Sequence, residues 1–381
     1  MRLIHTSDWH FGKRFLETDL IPLQEQFCDW LVNLVIDEKI DGVLIAGDLY
    51  DRSNPKEDAI DLLDDVLHRI SAAGTSIVAI SGNHDSAERL HFGTHFMTGN
   101  GLTISTERRQ VDLIAPPTTL IARDGSEVEI LPLPYLDPQR VALQAGIKRD
   151  HETVLRTVID NQVANLKNPS RTIAMAHAFV VGGTTSESER ALTIGGTGSV
   201  PADLFSPFGY TALGHLHSPH ELGNGLLAYS GSPMSYSFSE QHGKSVQIVE
   251  VTDAGITTST LAIDVGRPVF TIKDTFDNIL SSPKYESHIN SFVRALVTDK
   301  NFKIGAMEAV RKRFPYVLDL QQIAISEQGA LKKEQFGDFA KRSEQEIVNS
   351  YVDETFDDGI EEFQQQFINE SMEYVLKGDH Q

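Results

Sequence analysis

Residues 41–52 read DGVLIAGDLYDR: an unbroken apolar stretch from Gly42 to Ala46, a Gly-Asp pair, then a turn. A short apolar run bounded by turn residues is the pattern of a strand buried on both faces, and this one ends by delivering a carboxylate, Asp48. The plan recurs on either side. Residues 2–7 read as a strand that delivers Asp8 and His10, and SIVAISGNHD, residues 76–85, reads as a strand ending on Asn83 and His84. Between these strands Leu23, Phe27, Trp30, Leu31, Leu34 and Val35, then Ile60, Leu63, Val66, Leu67 and Ile70, recur at helical spacing. Strand and helix in alternation, with nearly continuous apolar strands, imply right-handed crossovers and a sheet covered on both faces. Functional groups of such sheets lie at the carboxyl ends of the strands.

Two further strands carry imidazoles: TIAMAHAFV, residues 172–180, brings His177, and YTALGHLH, residues 210–217, brings His215 and His217. The loop 182–199 between them is rich in Gly, Ser and Thr but lacks the GK[ST] ending of a P-loop, so it reads as a connection near the site and not a nucleotide cradle. Residues 101–135 read as short strands and turns, 151–166 as a helix. The stretch 226–263 resembles antiparallel hairpins, expected to complete a second sheet and close a two-sheet sandwich. After Arg267 and Pro268 the pattern restarts with SFVRALVTD as a strand, Ile304 to Phe314 as a helix and YVLDLQQI as a strand, a small α+β unit. Residues 326–340 read as a linker. Beyond it, Ser343 and Glu346 form a capping-box pattern, and Ile360, Phe363, Phe367, Tyr374 and Val375 share one helical stripe. The expected division is 1–265, 266–325, 326–340 and 341–381.

A net charge of −21 argues against coating nucleic acid by bulk electrostatics. It leaves metal-dependent hydrolysis of phosphoesters open, because bound divalent ions reverse the local field. Residues 341–381 hold eleven acids against three bases, which suits a helix-in-groove ligand better than a DNA clamp; the competing reading is that this helical segment packs on its own domain. No run approaches the roughly 18 apolar residues of a membrane span, so a cytoplasmic protein is expected. The one cysteine, Cys28, falls beside Phe27, Trp30 and Leu31 and reads as a buried small hydrophobe.

Asp8, His10, Asp48, Asn83, His177, His215 and His217 together form a mixed nitrogen and oxygen ligand set without thiolate, suited to Mn²⁺, Fe²⁺ or Zn²⁺. Asp48 is the natural bridge, since one carboxylate can serve two ions held about 3.5–4 Å apart, the separation that clamps an in-line displacement. The expected sets are Asp8, His10, Asp48 and His217 for one ion, and Asp48, Asn83, His177 and His215 for the other. His84 is expected to face substrate and either stabilise charge on the phosphoryl oxygens or protonate the leaving oxygen, with Asp51 accepting from its other ring nitrogen. A lone DxH or GHxH is a weak signal; five such pieces in order, each after a strand, are not. Lys13, Arg14, Arg52 and Arg89 flank the motifs and are candidates for phosphate contact. His5 reads as a core residue.

Through TSDWH, AGDLYDR, SGNHD, AHAFV and GHLH the chain resembles the calcineurin-like metallophosphoesterases. Through TSDWHFGK, GNHDS, SESERALTIGGTGSVPADLF, YTALGHLHSP, YSGSPMSYSFSE, RPVF, SFVRALVTD and RFPYVLDL it is similar, more narrowly, to the DNA nuclease branch of that family. The resemblance implies a four-layer α-β-β-α sandwich with a small capping domain. It implies two Mn²⁺ ions, 3'-to-5' exonuclease activity on duplex DNA and endonuclease activity on single strands and hairpins. It further implies a homodimer, formed through helices such as those starting near Pro22 or Glu57, bound to an ABC-type ATPase through the last helices. Some relatives carry histidine where this chain has Asp51. Two other readings stand beside it: a phosphoesterase acting on a small phosphodiester or phosphoprotein, and a metal-stabilised scaffold without catalysis.

Overall fold

The computed structural model describes residues 1–98, 101–107, 116–189, 198–223, 225–299 and 305–323. The expected linker 326–340 and helical segment 341–381 lie outside these residues, as does the middle of the 182–199 loop. Met1–Ile323 forms one compact unit. No helix among the described residues is long and apolar enough to cross a membrane.

The opening stretch forms β2 (Gly42–Ala46), between β1 (Arg2–Thr6) with α1 (Ile21–Asp37) on one side and α2 (Glu57–Ala72) with β3 (Ser76–Ile80) on the other. A fourth parallel strand, β4 (Leu102–Ser105), follows. The second sheet takes β5 (Thr118–Ile121) and β6 (Glu127–Leu133), then, after α3 (Pro138–Ala145) and α4 (His151–Val163), β7 (Ile173–His177), β8 (Tyr210–Gly214), β9 (His220–Leu222) and β10 (Leu227–Tyr229). Its order is β9-β10-β8-β7-β6-β5.

The two sheets face each other, and alternation along each strand decides which layer a residue joins. Leu44 and Ala46 of β2, with Val78 and Ile80 of β3, pack against Ile130, Ile173, Met175, Tyr210 and Ala212 of the second sheet. Val43 and Ile45 point the other way, into Phe27, Leu31 and Val35 of α1 and Leu63, Val66 and Ile70 of α2. Val154, Leu155 and Val158 of α4 cover the far face of the second sheet. The layers are therefore α-β-β-α, as expected. Cys28 sits in the α1 layer and is fully buried, which pushes its thiol up.

The 226–263 stretch divides between the sheets and does not simply complete the second. Only β10 joins it there. β11 (Ser245–Thr252) and β12 (Gly255–Ala262) form a hairpin that pairs antiparallel with β1, Ile4 opposite Ile248. With β2 on one edge of β1, the other edge would expose a row of unpaired N–H and C=O groups, and the hairpin covers it.

The restart after Pro268 contains one strand more than its sequence pattern suggests. β13 (Val269–Asp274), β14 (Phe292–Val297) and β15 (Val317–Gln322) form an all-parallel sheet, with α5 (Phe276–Ser281) and α6 (Ala306–Arg313). Ile272, Ile279, Val293, Val310 and Phe314 make its core. Phe292 meets Phe15 edge-on at 5.6 Å between ring centres.

Candidate metal centre

Every expected ligand leaves the carboxyl end of a parallel strand. Asp8 and His10 follow β1, Asp48 follows β2, Asn83 and His84 follow β3, His177 ends β7, and His215 and His217 follow β8. Backbone hydrogen bonds tie the turns together: Asp8 N–H to Gly47 O at 3.0 Å, His10 N–H to Asp48 O at 2.9 Å, and His215 N–H to Oδ1 of Asp8 at 3.0 Å. Six non-glycine residues among those described have positive φ, and four of them are expected ligands: Asp8 (54°), His10 (47°), Asp48 (51°) and His215 (103°). Such backbone costs on the order of 1–3 kcal/mol per residue and persists where the surroundings over-determine it. Crowding also explains the glycines that precede Asp48, Asn83 and His215. A Cβ on Gly214 would sit 1.8 Å from the carbonyl oxygen of Ala46, so only glycine lets β8 approach β2 this closely.

The donors converge in two linked groups. Oδ2 of Asp48 lies 3.5 Å from Nε2 of His10 and 3.4 Å from Nε2 of His177. On the first side, Nε2 of His10 and Nε2 of His217 are 3.1 Å apart, and Asp8 has a carboxylate oxygen within 4.8 Å of both imidazoles. On the second, Oδ1 of Asn83 lies 2.9 Å from Nε2 of His177 and 3.3 Å from Nδ1 of His215. Asp8 also comes within 4.8 Å of Asp48 and His177, so it stands nearer the middle than the division by sequence assigns it.

Burial opposes the charge on Asp48, yet the adjacent His177 holds its carboxyl well below the usual carboxylate range. Burial likewise opposes an imidazolium at His177, but the charge of Asp48 outweighs it and pushes that ring up to about 9. Burial lowers His215 to about 3 and His10 well below its ordinary value, leaving both neutral with lone pairs to offer. Asp8 is pushed up to about 6, again by burial.

These residues fit divalent ions. Two imidazole nitrogens 3.1 Å apart can share at most one proton, whereas a cation accepts both lone pairs. Nδ1 of His10 and Nδ2 of Asn83 are buried with no hydrogen-bond partner among the described residues. Nδ1 of His177 donates to the carbonyl of Ala46 at 2.9 Å, turning Nε2 toward Asp48 and Asn83.

His84 and Asp51 meet differently from expectation. Nδ1 of His84 bonds the backbone carbonyl of Asp51 at 2.8 Å, not its carboxylate. The Asp51 carboxylate turns to Lys13, with Oδ1 2.7 Å from Nζ and 3.7 Å from Nδ1 of His10. Three residues past Asp48 the chain curls back along His84, so the main chain reaches the ring first. Lys13 is thereby held in an ion pair. Arg52 is well exposed beside Asp51, Arg14 bonds the carbonyl of Glu17, and Arg89 bonds Asn54.

Asp85, next to His84 in sequence, was expected to support the ligands, whereas the other supporting residues escaped sequence reasoning. Ser7 donates to Oδ2 of Asp8 at 2.6 Å. Asp85 accepts the N–H groups of Leu49, Tyr50 and Gly82, joining the turns after β2 and β3, and burial with the nearby Asp48 charge pushes it up to about 7. Ser188, Glu189, Glu240 and Lys244 gather behind His217. Glu240 ends the SYSFSE run, and nothing in its spacing marks it as a partner of a histidine 23 residues earlier.

A profile of the calcineurin-like phosphoesterases matches residues 1–219, and the chain belongs to that family. Over 383 aligned positions, covering 99% of each chain, it is 27% identical to the SbcD subunit of nuclease SbcCD from Staphylococcus epidermidis. Among solved structures, a dimetal phosphatase from Danio rerio is 12% identical with a TM-score of 0.42, spanning 69% of this chain and 98% of its own. A protein of Thermus thermophilus is 11% identical with a TM-score of 0.38, spanning 68% and 98%.

Proposed function

We propose that this chain is the nuclease subunit of an SbcCD-type DNA repair complex, hydrolysing DNA phosphodiesters with two divalent ions, most simply Mn²⁺. The observation that carries the reading is the extent of the similarity to the staphylococcal nuclease subunit, which runs the length of both chains, past the residue where the family profile stops. The proposed activities are 3'-to-5' exonuclease on duplex DNA and endonuclease on single strands and hairpins, in DNA replication, recombination and repair at the nucleoid in the cytoplasm. Residues 1–265 would carry the chemistry and 266–325 would cap the DNA. Residues 341–381, beyond the 326–340 linker, would bind an SbcC-type ABC ATPase, with the whole acting as a homodimer.

Asp8, His10, Asp48 and His217 would hold one ion, and Asp48, Asn83, His177 and His215 the other. Ions so held supply Lewis acidity toward the phosphoryl oxygens and a nucleophile at neutral pH. The chain supplies the rest. The Asp51 carbonyl fixes Nδ1 of His84 as a donor, so Nε2 is the atom that handles the leaving-group proton. The Lys13 and Asp51 pair braces the same turn beside His10. Lys13, Arg14, Arg52 and Arg89 are the proposed phosphate contacts.

The test is incubation of the chain and its ATPase partner with Mn²⁺ and hairpin or linear duplex DNA, with cleavage expected. Intact DNA beside normal turnover of a small phosphodiester would overturn the proposal in favour of an esterase for small phosphodiesters or phosphoproteins.

A further inference from the structure

Glu240 lies between β10 and β11, is fully buried, and is surrounded by donors. Lys244 Nζ and Ser232 Oγ serve its Oε2, while the N–H of Tyr236 (3.3 Å), Ser237 Oγ (3.4 Å) and Ser188 Oγ serve its Oε1. Ser188 Oγ in turn lies 2.6 Å from Nδ1 of His217, and Oε1 itself lies 3.4 Å from that nitrogen.

The order of donors and acceptors settles the proton positions. A carboxylate beside an ammonium group accepts and does not donate. Ser188 therefore gives its single proton to Glu240 and has only lone pairs left for His217. Nδ1 of His217 must carry a proton, so in the neutral ring Nε2, the atom facing His10, carries the lone pair. A second anchor fixes the main chain, because Glu189 accepts the His217 N–H at 2.7 Å. The other side of the centre is built differently: a neutral carbonyl, Ala46 O, stands behind His177.

The geometry points to Glu240 as the positioning residue of His217, acting through Ser188 to hold the tautomer that offers Nε2 to an ion on the His10 side alone. This rests on the two-ion reading above. A carboxylate behind a ligating imidazole both orients it and raises its basicity, and losing one typically costs 10–100-fold in metal affinity. A Gln at 240 can donate to Ser188, reverse the relay and move the ring proton to Nε2.

The test uses the full chain, with Mn²⁺ titrated calorimetrically into wild type, Glu240→Gln and Ser188→Ala. Wild type should bind two ions. In Glu240→Gln one ion should weaken about 10–100-fold while the other keeps its affinity, and Ser188→Ala should weaken the same ion. Nitrogen-15 imidazole spectra of the metal-free protein should show His217 as the Nδ1–H tautomer, shifted toward Nε2–H in Glu240→Gln. Should Glu240→Gln fail to fold with Lys244 unpaired, Ser188→Ala decides alone, since it leaves that ion pair whole. Equal weakening of both ions, or none in either variant, overturns the role of Glu240. A wild type that binds no pair of ions overturns the parent reading as well.

Discussion

Gly82 and Asp48 occupy mutually exclusive space: a Cβ on Gly82 would lie 2.1 Å from Oδ1 of Asp48. That same oxygen accepts the His84 N–H at 2.9 Å. The contact couples the turn after β3 to the carboxylate at the end of β2. Gly82→Ala must therefore move Asp48, and we expect a folded protein, destabilised by about 1–3 kcal/mol through overpacking, that no longer holds two Mn²⁺ ions. Calorimetric titration beside a denaturant melt checks this; a variant that binds both ions normally contradicts the packing argument.

Asp48→Asn keeps the shape and removes the shared charge. Because Oδ2 stands within 3.5 Å of an imidazole nitrogen on each side, both ions should weaken together. This is the opposite of the one-sided loss expected at Glu240. A titration that leaves either ion at wild-type affinity would disprove the bridging role.

His84→Gln tests proton handling apart from ion binding. A ring nitrogen of His84 lies within 4.8 Å of His10 and the Asp48 carboxylate, but His84 is not among the seven expected ligands, so both ions should be retained while turnover of a chromogenic phosphodiester falls by roughly 10²–10⁴-fold, the range general acid catalysis covers. Unchanged turnover would remove His84 from the chemistry.

His5 contributes to acid stability from a position outside the expected ligand set. Burial lowers its pKa to about 3, with Tyr210 Oη and the Leu213 carbonyl as its ring partners. Its depressed value means that the unfolded chain takes up a proton below its ordinary pKa of about 6.5 while the folded chain does not. The folded state is therefore unaffected above that pH and loses stability as the pH falls toward 3. Between pH 7.5 and 4.5, His5 should account for about 3 kcal/mol of lost stability. Urea melts in chelator should show a shallower decline for His5→Gln than for wild type; parallel curves would refute the assignment.

The first half of the molecule was legible because its logic is local: an apolar strand, a glycine, and a ligand lie within a few residues of one another. Asp48, Asn83 and His177 could be placed near one another from order alone, since parallel strands bring their carboxyl ends together. The sequence pattern places the hairpin β11–β12 in the second sheet, and the structure places it on β1, because alternation records that a strand is half-buried, not which edge it covers. β13 was missed for a related reason: its turn signal, Arg267–Pro268, abuts the strand itself. Asp51 misled because side-chain chemistry was read where the main-chain carbonyl makes the contact. Ser188 and Glu240 meet His217 from segments 29 and 23 residues away, and no periodicity encodes that meeting.

The left-handed backbones at Asp8, His10, Asp48 and His215 make the centre a rigid socket whose shape is stored in the folded chain. An arriving ion meets donors whose ordering entropy was already given up during folding. A socket of this kind would sort ions by radius and hydration, not by how far the protein must bend to reach them.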